Sequence, residues 1–323
     1  MIFPVSGVEV DPWIPPLVAF VVSFFTSMGG VSGAFLLLPF QVSILGFTSP
    51  AVSPTNLIFN IIAIPSGVYR YLKEGRMAWP LTWVVVVGTL PGVFIGAVLR
   101  IKYLPDPKAF KFFAGLVLLY IGLRLLYDII GRGKKSGGES DAVERRFDQK
   151  IKETRARKKT RLASGLPPEA AVKTLQFSLS RITYEFYGET FNFSTYGIFL
   201  LSFIVGIVGG TYGIGGGAII APFFVAVFKL PVYTIAGAAL AGTFITSVFG
   251  VIFYQLIAPL YASTNLSIAP DWLLGVFFGV GGLAGMYCGA RFQKFVPALY
   301  IKIILTVIIL FLALKYISQF FMA

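Results

Sequence analysis

The chain has 323 residues, 56% of them hydrophobic and 13% charged, and a formal net charge of +13. Soluble domains are about 25% charged, so this composition excludes a soluble globule. With no His and one Cys, Cys288, the chain lacks the parts for imidazole or thiolate metal sites, haem ligation, disulfides, and Ser/His or Cys/His catalysis.

Long apolar stretches cover residues 12–45, 51–69, 77–99, 108–130, 195–228, 231–261, 268–290 and 297–323. A spanning helix needs ~20 mostly apolar residues, so the expected class is an all-α polytopic membrane protein. Residues 1–13 hold Glu9 and Asp11 but no Lys or Arg, unlike the basic start of a signal peptide, and nothing here looks cleaved. Next comes the run Gly30-Val31-Ser32-Gly33-Ala34. It resembles a nucleophile elbow, but no His exists to activate Ser32, so the expectation is no enzyme. No G-x-x-x-x-G-K-[ST] phosphate loop is present, which excludes that route to ATP-driven pumping.

Residues 1–130 read as one membrane unit and 194–323 as a second. Between them, 131–193 form a linker whose first part, 131–161, holds twelve Lys/Arg against five Asp/Glu. Basic clusters beside membrane helices mark the cytoplasmic side and meet anionic headgroups, so lipid rather than nucleic acid is the expected partner. Period-two alternation at Leu175, Phe177, Leu179 and at Ile182, Tyr184, Phe186 predicts a small β-hairpin.

The two units repeat. A shift of 183 lays Gly30 on Gly213, Gly33 on Gly216 and Pro39 on Pro222, and sets Asn56 opposite Ala239 and Asn60 opposite Thr243. After an insertion in the second unit, Gly88, Gly92 and Gly96 meet Gly281, Gly285 and Gly289; their spacing reads as helix packing. Arg124 and Lys315, in equivalent last helices, read as snorkelling cations. Cys288, in the run GMYCGARF, reads as a small packing residue. A duplicated membrane unit is characteristic of secondary transporters.

If residues 14–45 crossed once, the halves would be parallel and Arg100, Lys102, Lys108, Lys111, Lys229, Arg291 and Lys294 would all fall outside, against the positive-inside rule. Two short helices at 14–28 and 31–45 meeting at the glycine run instead give a re-entrant hairpin and three further crossings per half. Arg70, Lys73, Arg76, the linker, Lys229, Arg291 and Lys294 then lie inside, and only the 100–111 loop disagrees. This inverted repeat is the preferred topology, with a parallel arrangement of glycine-bent helices as the alternative.

Non-helical backbone at membrane depth must be sheltered by protein or line a cavity. A half-helix starting at such a break offers free N–H groups and about half a positive charge, a ready anion site. The candidate substrate-binding residues are therefore Gly30, Ser32, Gly33, Asn56, Asn60, Gly213, Gly215, Gly216, Gly217, Thr243 and Thr246. Ser27, Thr55, Thr211 and Ser247 are expected nearby. Any single Ser or Thr can instead bond back to its own helix; Asn56 and Asn60, four apart on one face, are less easily satisfied locally. No metal site and no cofactor are expected.

GIGGGAIIAP at 213–222, its partner GVSGAFLLLP at 30–39, the basic linker and YGETFNFS before the second half together resemble the TauE/SafE family of membrane permeases, over residues 14–318. The first motif departs from the second, with Ser32 against Gly215 and Ala34 against Gly217. The resemblance implies a multi-pass protein of the cell (inner) membrane that moves sulfite, thiosulfate or a sulfonate, usually outward. Energetics agree: each negative charge leaving a cell gains ~2.3 kcal/mol per 100 mV, so a dianion needs no coupled ion. Glu74, Asp128 and Asp271 lie at segment ends, which leaves no obvious intramembrane proton carrier. A passive anion channel, a Na⁺- or H⁺-coupled importer, a thiol enzyme built on Cys288, a scaffold docking through the linker and self-association into a dimer stay open.

Overall fold

The computed structural model describes residues 1–28, 32–73, 77–131, 172–186, 189–228, 230, 232–264, 266–292 and 298–322. Gly30, Glu74, Arg76, Lys229, Lys294 and residues 132–171 of the linker lie outside the described residues.

The first half contains α1 (Ile14–Met28), α2 (Ala34–Ser43), α3 (Val52–Ala63), α4 (Pro65–Lys73), α5 (Trp79–Lys102) and α6 (Pro107–Gly131). Strands β1 (Lys173–Phe177), β2 (Arg181–Phe186) and β3 (Glu189–Ser194) follow. The second half holds α7 (Thr195–Tyr212), α8 (Ile220–Phe228), α9 (Val232–Ile257), α10 (Trp272–Phe292) and α11 (Ala298–Phe321). Among the described residues six helices are long and apolar enough to cross a membrane, within 79–102, 107–127, 195–212, 234–261, 272–289 and 303–321, whereas the apolar helices at 14–27 and 34–43 are shorter.

Local chemistry sets the element ends. Gly213 ends α7 with φ +82°, and the Ile214 N–H folds back to the Gly209 carbonyl at 3.0 Å, a left-handed cap that glycine tolerates. Pro65 separates α3 from α4 by taking the first helical position, where its missing N–H costs nothing. Asp271 caps α10: its carboxylate accepts the Leu274 N–H at 3.1 Å and both the N–H and hydroxyl of Ser6. Asp271 therefore serves a helix end, where charge on the N-terminal turn is favourable. Asp271→Asn weakens both contacts, and thermal unfolding is expected to register a loss of ~1 kcal/mol.

The expected hairpin is a three-stranded antiparallel sheet in the order β1-β2-β3. Ile182, Tyr184 and Phe186 are buried on one face of β2, and the Tyr184 hydroxyl lies 2.7 Å from that of Thr234, at the start of α9. Burial pushes the Tyr184 phenol above its ordinary range, with the Thr234 contact pulling the other way.

Helices pair mainly across the halves. Gly88, Gly92 and Gly96 of α5 lie on the backbone of α7, where Gly206 and Gly210 reciprocate; a Cβ on Gly206 would stand 2.5 Å from the Thr89 carbonyl. Gly281, Gly285 and Gly289 of α10 lie on Pro16, Phe20 and Phe24 of α1. The two glycine stripes thus make equivalent close contacts, as their spacing suggests. In both pairs residue numbers rise together, so the helices run parallel; α5 also runs parallel to α9, with Gly242 at Val85 and Gly250 at Val93, and α10 to α3, with Gly275 at Ile58 and Gly279 at Ile62. By contrast α6 and α11 run antiparallel, with Gly115 against Tyr316 and Gly122 against Leu310. So do α3–α4 and α9, with Asn60 at Ser247, Gly67 at Leu240 and Gly237 at Tyr71.

Candidate functional site

The site grows from the two glycine runs, of which the described residues Ser32–Gly33 and 213–219 are non-helical. In α2, Pro39 has no N–H to offer the Phe35 carbonyl four residues earlier. Tyr212, the last residue of α7, supplies the missing donor: its hydroxyl bonds Phe35 O at 3.0 Å. One break is thereby tied to the helix that follows the other.

The amides of α3 complete the link. Asn56 Nδ2 donates to the Gly213 carbonyl at 2.8 Å and the Ala34 carbonyl at 3.1 Å, and its Oδ1 accepts from Gln41 at 3.2 Å. One turn on, Asn60 Nδ2 donates to the Ile214 carbonyl at 2.9 Å and to Ser247 Oγ at 3.3 Å, and its Oδ1 accepts the Ser32 hydroxyl at 2.9 Å. Both asparagines are fully buried. The spacing of four that singled them out places both on the face toward the breaks, and each joins the first break region to the second.

The glycines fit closely. Gly33 has Ser23 Oγ 3.1 Å from where a Cβ would stand, and Gly213 has Ser53 Oγ at 2.7 Å. Gly215, with φ +86°, lies on Thr243 and Ser247, both 3.0 Å from its Cβ position. Gly216 meets Thr89 at 2.5 Å, and Gly217 meets Thr243 Oγ1 at 2.8 Å. The Gly216 N–H donates to Thr246 Oγ1 at 3.0 Å, and the Ala34 N–H to Ser32 Oγ at 3.3 Å.

The hydroxyls divide into two groups. Ser27, Thr55, Thr211, Thr243 and Thr246 bond back to their own helices, at Phe24, Ala51, Ile207, Ala239 and Gly242. Thr246 also meets Gly216, and Thr55 also accepts the Asp271 N–H at 2.9 Å. Ser32 and Ser247 instead meet Asn60. Every candidate except Gly30, which lies outside the described residues, therefore borders a break or the α3–α9 seam.

The sequence reading missed Arg100. It placed this residue with outward loop charges that broke the positive-inside rule, but Arg100 is fully buried. Its guanidinium lies 3.7 Å from the Phe110 ring centre and donates to the carbonyls of Leu104 and Thr48. The conflict with the charge rule was the available signal, because a cation in the wrong compartment has a reason to be there. Arg124 and Lys315 differ from it: Arg124 sits half-buried 5.6 Å from the Tyr127 ring, and Lys315 is exposed. Cys288 is free and half-buried. Among the described residues no cluster of three His, Cys, Asp or Glu could hold a metal.

A family model described as sulfite exporter TauE/SafE matches residues 16–316. No curated protein and no solved structure matches. The matched span contains five of the six long apolar helices in full and the sixth up to residue 316, and the chain belongs to the TauE/SafE sulfite exporter family of membrane transporters for sulfite and related sulfur anions.

Proposed function

We propose that the chain is a secondary permease that binds a sulfite- or sulfonate-like group between two re-entrant hairpins and releases it outward down the membrane potential. Each half then crosses three times, as an inverted repeat, with α3 and α4 together making one crossing and α7 serving as a hairpin arm. Four run directions support this reading. Because α7 and α9 both run parallel to α5, the chain must return within 213–231; because α1 and α3 both run parallel to α10, it must return within 29–51. Phe228, at the end of α8, lies 3.3 Å from the Cβ position of Gly197, near the start of α7, as a hairpin requires. The equivalent helices α6 and α11 run antiparallel, as an axis in the membrane plane demands. The linker then emerges on the cytoplasmic side of the inner membrane, where its cations face anionic headgroups.

The observation that carries the binding role is the bridging by Asn60, about 4 Å from the middle of the 52–73 helix pair at 1.5 Å per residue. Its amide hydrogens are held by a carbonyl and a hydroxyl, weak acceptors that an oxyanion outbids through charge-assisted bonds. Ser32, Gly33, Gly215, Gly216, Gly217, Thr243 and Thr246 pack into the same junction, and an anion binding there takes the place of the hydroxyls that lie against the glycines. Asn56, held by Gly213, Ala34 and Gln41, keeps the breaks together while the halves rock.

The test is sulfite-dependent thermal stabilisation of the purified chain at fixed ionic strength, paired with sulfite flux in proteoliposomes. A ligand at ~100 times its dissociation constant adds about 2.7 kcal/mol, which sulfate and phosphate are not expected to match. Ser32→Ala frees Asn60 Oδ1, and its sulfite affinity is expected to change several-fold while the fold persists, since the lost bond is worth ~1 kcal/mol. Stabilisation equal for all three anions defeats the sulfur selectivity. Flux without saturation supports the passive channel.

A further inference from the structure

A second polar cluster lies along the seam from Asn60. On α3, Ser53 precedes Asn60 by seven residues, two helical turns or ~10 Å. On the antiparallel α9, Tyr254 follows Ser247 by the same seven residues, so Ser53 and Tyr254 form the next polar rung beyond the Asn60–Ser247 contact. Tyr254 packs with Ala97 and Ile101, which flank Arg100 along α5. Ser49 follows Thr48, whose carbonyl accepts from Arg100 at 3.3 Å. Ser53 also touches the second break, its Oγ 2.7 Å from the Cβ position of Gly213.

Four atoms of this cluster, Ser49 Oγ, Ser53 Oγ, Tyr254 OH and Arg100 Nε, are buried without completing a hydrogen bond. Among the described residues no carboxylate pairs with Arg100, whose bonds go to two carbonyls and whose face covers Phe110. A buried cation with neutral partners is costly unless a counter-charge completes it. The hydroxyls and the N–H can all donate, and beside the fixed positive charge of Arg100 they complement an oxyanion rather than a cation or an apolar group.

We propose that Arg100, Ser49, Ser53 and Tyr254 form a second station for a small oxyanion, between the junction at Asn60 and the end of the bundle at Thr48 and Leu104. Resting on the permease reading, it deepens it: the anion passes from neutral amides near the midplane to a fixed cation near the exit. A purely structural Arg100, stapling the loops at Thr48 and Leu104, would need none of the three hydroxyls.

Ser53→Ala combined with Tyr254→Phe removes two donors and leaves the carbonyl bonds of Arg100 in place. Sulfite is titrated against thermal unfolding of the purified full chain at fixed ionic strength, and sulfite flux is measured in proteoliposomes. The expected result is an apparent Kd raised about tenfold in the double variant, with unfolding in the absence of sulfite little changed. Wild-type stabilisation that the double variant retains in full overturns the second station and leaves the permease reading intact. Stabilisation lost in the double variant, in a wild type that carries no flux, supports the station and overturns the permease reading. A wild type that does not respond to sulfite overturns both.

Discussion

Asn60→Leu is expected to abolish sulfite flux and lower the unfolding temperature. The substitution is close in size, so packing changes little, but three groups lose their partner: the Ser32 hydroxyl, the Ile214 carbonyl and Ser247 Oγ. A buried polar group left unsatisfied costs about 1–3 kcal/mol, and water cannot readily repair the loss at membrane depth. The summed effect is ~3 kcal/mol or more, enough to separate the two break regions that Asn60 joins. Flux in proteoliposomes and detergent thermal unfolding give the two readouts. Asn60→Gln, which retains the amide one methylene farther out, should recover part of the stability but little of the flux. Flux preserved in Asn60→Leu would remove the residue from the binding site and leave it a brace.

The second large effect belongs to the glycine stripes. In Gly92→Val the new Cβ would stand 2.8 Å from the Ile207 nitrogen and 2.9 Å from the Gly206 carbonyl carbon; in Gly285→Val it would stand 2.9 Å from Phe20 Cα. These neighbours are backbone, so relief requires moving a helix rather than a side chain. Overpacking typically costs about 1–3 kcal/mol, and backbone collisions fall at or beyond the top of that range. Both variants are expected to lose most of the folded, monodisperse protein on size-exclusion chromatography after extraction. Val280→Leu, on an exposed position of α10, should behave as wild type. Equal yields for all three would show that these stripes tolerate separation.

Much of this architecture was legible in the sequence because its cues are local. Glycine runs predicted the breaks, and the end of α1 and the start of α2 fall at either side of the first; α2 begins at Ala34 rather than at 31. Asn56 and Asn60 stood out because two amides four apart in an apolar helix must find partners. What composition could not convey is which helix lies beside which. Hydropathy measures length and greasiness, so Gly281 could be recognised as a packing residue without revealing Pro16 as its neighbour. Arg100 was misplaced for the same reason: its partners, Phe110, Thr48 and Leu104, are drawn from separate segments. The third strand, β3, escaped because the alternation was followed only through Leu175–Leu179 and Ile182–Phe186, and within β3 only Phe193 is buried.

The cross-half pairing also bears on how the protein is made. The chain leaves the ribosome N-terminus first, yet the partner of the α5 stripe, α7, lies beyond the linker, and α1 waits for α10. During synthesis the first half therefore sits in the membrane with its closest-packing surfaces turned to lipid, and it reaches its final arrangement only when the second half arrives. Neither half made alone has its partner surface. Supplied as two separate polypeptides cut within 132–171, however, the halves retain every one of these contacts and are expected to reassemble when synthesised together.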